Sequence, residues 1–229
     1  MAKTTSTPAP GRREMRRLLS QDVSRSQLLD AAEEVFGRKG FHETTLKEVA
    51  ELAEFSVGSV YSFFDSKDDL FRQIFVRRGE EFLPGMHEIL DDGGDPVDQL
   101  RRLVDFEVGF FRQHPRFGRL YLRYSSATML SADREIDLAM QDRYEEAMAL
   151  QAGLFTRGQA AGVLRDGDPE VLARLFSGLI SAYQAVDPAV VSDDPDARER
   201  LGLDGLHALV ADEAKLKGEY IVVIAGADE

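Results

Sequence analysis

The chain has 229 residues, no cysteine, 43% apolar and 30% charged residues, and a net charge of −13. Such a composition suits a soluble globular protein of one large or two modest domains. It excludes disulfides, thiolate chemistry and cysteine-type zinc sites, and His42, His87, His114 and His207 show no metal-ligand spacing, so no metal or cofactor is expected. No run approaches the roughly 18 apolar residues of a membrane span, and the N-terminus has charges without an apolar signal core, so a cytoplasmic location and no membrane partner are expected.

The acidity is unevenly spread. Residues 1–80 hold 13 basic and 13 acidic groups, whereas the remaining 149 residues hold 15 against 28. Within residues 1–25 the balance is basic: Lys3, Arg12, Arg13, Arg16, Arg17 and Arg25 against Glu14 and Asp22. That asymmetry fits a nucleic-acid-facing end on an acidic, solvated body.

In chain order, residues 1–22 read as a flexible basic arm, without apolar periodicity until Leu18. Ser24 with Gln27 suggests a capping box that opens a helix with Leu28, Ala32, Val35 and Phe36 on its core stripe, stopped by Gly40. Thr45 with Glu48 makes a second capping box. Ser66 with Asp69 makes a third cap, opening a helix with Leu70, Phe71, Ile74, Phe75 and Phe82 on one side. Asp95-Pro96 supplies an N-cap and first-turn proline for a helix through Leu100, Leu103, Val104, Phe106 and Phe110, ended by His114-Pro115. A segment from Arg116 to Met129 and a long helix from Ala132 to Gln159 follow. Asp168-Pro169 opens a helix with Val171, Leu175, Leu179 and Tyr183 on one stripe, and Asp194-Pro195 opens a last one. Tyr220 to Ala225 is β-prone and apolar, and its role is open: an edge strand, a tail packing on a partner, or a junction foreign to the domain.

The stretch from Thr45 to Lys67 carries the function. Apolar residues at Val49, Ala53, Phe55, Val60 and Phe63 let two short helices pack at a steep angle, and small Ala50 lets their backbones approach. The second helix then presents Ser56, Val57, Gly58, Ser59, Tyr61 and Ser62 outward, groups small or hydroxylated enough to sit against phosphates and base edges. A core hairpin would share the apolar spacing; the capped helix before it, the block Y-S-F-F-D-S-K and the basic arm distinguish the two.

These residues, L-L-D-A-A-E-E-V-F-G-R-K-G-F-H-E-T-T-L-K-E-V-A followed by S-V-G-S-V-Y-S-F-F-D-S-K-D-D-L-F, resemble the tetracycline-repressor (TetR) family of bacterial and archaeal transcriptional regulators. The likeness is close over residues 24–80 and architectural beyond. It implies an all-α fold: a three-helix DNA-binding domain with a helix-turn-helix at 23–68, and a larger helical ligand-binding and dimerisation domain at 69–217, with 218–229 a tail. It also implies a homodimer formed through the last two long helices, setting two recognition helices one duplex turn, roughly 34–36 Å, apart on a near-palindromic operator. Tyr61 and Lys67 match family phosphate contacts, as do Thr44 and Thr45, with Lys47 able to add to them. Base reading would fall to Ser56, Val57, Ser59 and Ser62, helped by duplex shape and by Arg12, Arg13, Arg16 or Arg17 in a minor groove. Glu54 departs from the pattern, standing where the family turn usually has glycine.

By the same analogy, Phe106, Phe110, Tyr121, Tyr124, Met140, Tyr144, Met148 and Tyr183 are candidates to line a cavity for an apolar or aromatic inducer, although core packing is the default for most of them. No nucleophile, carboxylate dyad or glycine-rich phosphate loop is visible, so no enzyme activity is expected. The expected function is a ligand-responsive regulator, a repressor released from double-stranded operator DNA by a small molecule. The alternative is a helical small-molecule-binding dimer whose DNA binding is weak or lost.

Overall fold

The computed structural model describes residues 11–128 and 134–192, apart from the side chains of 125–142. All regular structure among these residues is helical: α1 (Arg12–Lys39), α2 (Leu46–Leu52), α3 (Val57–Phe63), α4 (Lys67–Leu90), α5 (Pro96–Gln113), α6 (Pro115–Thr128), α7 (Arg134–Ala160), α8 (Pro169–Gln184) and α9 (Pro188–Val191). The helix expected from Asp194-Pro195 and the stretch Tyr220 to Ala225 lie outside the described residues.

Local chemistry accounts for most boundaries. Gly40 takes φ 83° and ends α1, its N–H donating to the Phe36 carbonyl. Thr45 and Glu48 form the reciprocal capping box, and the Ser66 hydroxyl accepts from the Asp69 N–H at 3.0 Å. Asp95 and Asp168 each accept two first-turn N–H groups ahead of a proline. Asp187-Pro188 starts the short α9 in a similar way, Asp187 accepting one N–H, that of Ala189, at 3.1 Å; the sequence reading missed this helix.

Two expectations fail. The helix does not begin near Ser24; it begins at Arg12, so residues 12–22 are helical and exposed, and the Ser24 hydroxyl donates to the Ser20 carbonyl in mid-helix. Arg, Leu, Met and Glu favour helix without any face being buried, and no Gly or Pro interrupts the run. On α8 the residues facing the core are Leu172, Ala173, Phe176 and Ile180, whereas Val171 is 49% and Leu175 44% exposed. The helix is apolar on two sides, so a stripe drawn from periodicity fits either.

Two cores result. The first joins α1, α2, α3 and the start of α4 to Phe110 and Phe111 of α5, Phe117 and Leu120 of α6, and Val190 of α9. The second joins the end of α4 to Leu100, Leu103, Val104 and Val108 of α5, with Leu154 and Phe155 of α7 and the inner face of α8. α5 therefore passes from one core into the other. Buried charge fastens α4 to α1: the Arg78 guanidinium grips Glu33 through Nε at 2.9 Å and one terminal nitrogen at 3.0 Å, and a further nitrogen reaches Glu81.

Candidate nucleic-acid interface and ligand site

α2 ends in a Schellman arrangement. The Phe55 N–H donates to the Ala50 carbonyl at 2.8 Å and the Glu54 N–H to the Glu51 carbonyl at 3.2 Å, which holds Glu54 at φ 60°. Glu54 is the one non-glycine residue with positive φ among the described residues. The turn thus requires the left-handed conformation that glycine adopts freely, and a glutamate adopts it here.

The turn aims α3. Val60 is fully buried against Val49 and Ala50, with Ala53, Phe55 and Phe63 partly buried at the edge. Ser56 caps the helix: its hydroxyl accepts from the Ser59 N–H at 3.0 Å and lies 2.8 Å from the Ser59 hydroxyl. The Ser62 hydroxyl donates to the Ser59 carbonyl at 2.6 Å. Val57, Gly58, Ser62 and Tyr61 are exposed, Tyr61 at 57%, while Ser59 is half-buried. One face of α3 is therefore a shallow, small-residue surface with a phenol standing on it.

The expected phosphate contacts divide. Thr45 is exposed at the start of α2, and Lys47 is exposed 3.6 Å from Glu51. Thr44 is different: it is 1% exposed and its hydroxyl donates to the Gly40 carbonyl at 2.7 Å, so its side chain faces the protein. Lys67 also turns inward. Its Nζ donates to the carbonyls of Phe41 at 2.9 Å and Thr44 at 3.1 Å and lies 4.3 Å from the centre of the Phe41 ring. Lys39 is paired with Glu48, and that hydrogen bond, with those from Thr45, holds the Glu48 carboxyl down at about 2. Lys39, Lys47 and Lys67 thus each already have an acidic or carbonyl partner.

The candidate ligand contacts are spread over both cores, with Phe106 and Phe110 meeting at the boundary, ring centres 6.2 Å apart. Phe110 is buried in the first core, and Tyr124 packs there too, its ring 5.1 Å from Phe71 and its hydroxyl accepting from the Phe41 N–H at 2.6 Å. Phe106, Met148 and Tyr183 pack on the second core, with the Tyr183 hydroxyl accepting from Arg112 at 3.0 Å. Met140's side chain lies outside the description. Tyr121 of α6 and Tyr144 of α7 are half-buried, and burial pushes both phenols above their ordinary range; at Tyr121 the charge of Glu107 adds to the effect.

The sequence reading missed the polar groups between them. Glu107 of α5 is 5% exposed and Gln151 of α7 is 1% exposed, and the Gln151 amide donates to the Glu107 carboxyl at 2.9 Å. Burial pushes the Glu107 carboxyl up to about 8, against the smaller opposing effect of that hydrogen bond. The signal was present in the sequence, since Glu107 interrupts the apolar stripe that runs through Leu100, Leu103, Val104, Phe110 and Phe111.

Residues 28–74 match the family model described as bacterial regulatory proteins, tetR family. Among curated relatives, the HTH-type transcriptional repressor NicS of Pseudomonas putida is 28% identical over 145 residues, 63% of this chain and 68% of that protein. The HTH-type transcriptional activator FasR of Mycolicibacterium smegmatis is 29% identical over 134 residues, 58% of this chain and 61% of its own. Among solved structures, a TetR-like transcriptional regulator from Rhodococcus sp. RHA1 is similar at 28% identity with a TM-score of 0.63, over 82% of this chain and 93% of that one. FadR from Bacillus subtilis, solved in complex with stearoyl-CoA, reaches a TM-score of 0.68 over 83% of this chain and 99% of that one; at 17% identity the likeness is one of fold.

Proposed function

The chain belongs to the tetR family of bacterial regulatory proteins, and we propose that it is a ligand-responsive repressor that binds a near-palindromic operator as a homodimer and is released by a small molecule. The observation that carries this reading is α3: a helix held by a capped α2, a Schellman turn and buried Val60, with Val57, Tyr61 and Ser62 outward. Tyr61, Thr45 and Lys47 are the positioning contacts to phosphate, Ser56, Val57, Ser59 and Ser62 the base-facing set, with Gly58 letting the duplex approach. The Lys67 ammonium serves indirectly, by fixing the loop that presents Thr45.

Homodimerisation draws support from the outer face of α8. Val171 and Leu175 are exposed there, one turn apart, apolar surface that a second copy would cover. The expected partner helix after Asp194-Pro195 lies outside the described residues.

The specific observation favouring the alternative, a ligand-binding dimer with weak DNA binding, is the pairing of Lys39, Lys47 and Lys67 with protein groups, together with Glu54 in the turn. Titrating the dimer onto the duplex upstream of its own gene at several salt concentrations separates the two. The repressor gives saturable, sequence-dependent binding whose logarithm falls linearly with log salt, by about 0.9 per phosphate neutralised. Binding indistinguishable from that to a scrambled duplex at low salt refutes it.

A further inference from the structure

We propose that Glu107 and Gln151 are the polar pole of the effector site, and that the effector is an apolar or aromatic molecule carrying a protonated amine. The proposal rests on the ligand-responsive reading above and goes beyond it in naming the ligand's chemistry.

Both side chains are almost wholly buried, from different helices, and are joined by one hydrogen bond of 2.9 Å. Among the described residues the Gln151 Oε1 has no hydrogen-bond partner. Exchanging the amide's oxygen and nitrogen does not help, because the end turned from Glu107 stays unpartnered either way. A buried amide end left open in a packed interior is costly, and groups of this kind mark a place where something else binds. Among the described residues no Lys, Arg or His forms an ion pair with Glu107. A carboxyl in that setting stays protonated until a cation arrives.

The surroundings suit an amine on an apolar frame. Tyr121 of α6 lies within reach of the charge of Glu107, its ring 5.1 Å from that of Phe111 on the same helix as Glu107, and Tyr144 stands two helical turns before Gln151 on α7. A phenol ring offers its face to a cation and its body to an apolar group. An ammonium has three donors, enough for the Glu107 carboxylate and the open Gln151 oxygen together. The position also gives the ligand leverage. Glu107 lies where α5 leaves the second core, at Val108, and enters the first, at Phe110 and Phe111. A molecule seated there touches the packing of both.

The test uses three probes with one frame and three heads: 4-phenylbutylamine, 4-phenylbutanol and 4-phenylbutanoate. Calorimetry near neutral pH, in two buffers of different ionisation enthalpy, reads both affinity and proton release. The amine should bind at least about tenfold more tightly than the alcohol or the acid, and release about one proton per chain, as Glu107 ionises against it. Glu107→Gln, which keeps the shape and the hydrogen bond, should abolish that preference, bringing the amine level with the alcohol, and remove the proton release; its melting curve checks that it is folded. Equal binding of all three heads, an amine affinity unaffected by E107Q, or no binding by any probe up to about 1 mM overturns the proposal. Operator release is read separately. Release by an unrelated molecule with E107Q indifferent would sink the amine pole and keep the ligand-responsive reading, whereas tight amine binding with operator affinity unchanged would do the reverse.

Discussion

Replacing Glu54 by glycine should stabilise the protein, although it removes a side chain and adds no contact. Glu54 is held at φ 60° because two hydrogen bonds close the end of α2 around it, from Glu54 N–H to Glu51 O and from Phe55 N–H to Ala50 O. An L-residue in the left-handed region costs about 1–2 kcal/mol, since Cβ crowds the following carbonyl. Glycine avoids that cost but loses more backbone freedom on folding, about 0.5–1 kcal/mol. The difference leaves E54G more stable by about 0.5–1 kcal/mol, which for a chain of this size raises the melting temperature by roughly 1–4 °C.

Glu54→Ala separates the backbone from the charge. It keeps Cβ, and so the strain, while removing the carboxylate. Urea denaturation at one fixed protein concentration should place E54G above the native protein and E54A at or below it. Operator affinity should rise in both variants alike, because both remove the acid beside α3. An E54G no more stable than the native protein would show that the left-handed residue is not strained here.

Four further outcomes follow from single contacts. Thr44→Val, which removes the bond to the Gly40 carbonyl but keeps the shape, should cost about 1 kcal/mol in urea denaturation and leave the salt dependence of operator binding untouched, as a side chain facing inward requires. Tyr61→Phe should do the reverse, leaving stability within about 0.5 kcal/mol and lowering operator affinity by roughly tenfold or more in a titration. Glu33→Ala strands the Arg78 guanidinium between α1 and α4, where Glu81 alone remains, and should cost about 3 kcal/mol in the same denaturation assay. Glu107 has its folded-state pKa raised from 4.5 to about 8, so the folded protein holds a proton that the unfolded chain has lost, and stability should fall as pH rises between those values. Glu107→Gln should flatten that slope, melting above the native protein near pH 9 and level with it below pH 5.

The part of the structure that could be read from the sequence is the part with local causes. Thr45 and Glu48 lie three residues apart, Asp95 precedes Pro96, and Gly40 follows the last turn of α1; each cap needs only its neighbours. What could not be read depends on partners far along the chain. Lys67 matches the family's phosphate contact, yet its Nζ is drawn to carbonyls 23 and 26 residues earlier. Thr44 and Thr45 look equivalent in sequence, and only the fold turns one hydroxyl onto Gly40 and leaves the other at the surface. On α8, periodicity admits two apolar faces, and the packing of α5 and α7 decides which is inner. The missed pair, Glu107 and Gln151, was legible only as polar residues inside apolar stripes; their meeting across two helices was not.

These long-range contacts bear on how a ligand would act under the proposed mechanism. Gly37 of α1 sits so close to α6 that a Cβ there would lie 2.8 Å from the Arg116 carbonyl oxygen. Tyr124 of α6 accepts from the Phe41 N–H, and Lys67 clasps the carbonyl of the same residue. Glu34 of α1 pairs with Arg116 at 3.0 Å, and Glu33 with Arg78 of α4. A joint fastened at this many points, one of them without room for a methyl group, has no slack to absorb a shift of α5 or α6. Displacement at Glu107 would therefore carry α1, α2 and α3 together, leaving the Schellman turn and the face of α3 intact while changing where the recognition helix stands relative to that of the partner. The operator would be lost through half-site spacing rather than through damage to the reading surface. Such a ligand needs only to bind the displaced arrangement more tightly than the operator-competent one, by the same free energy that the operator loses.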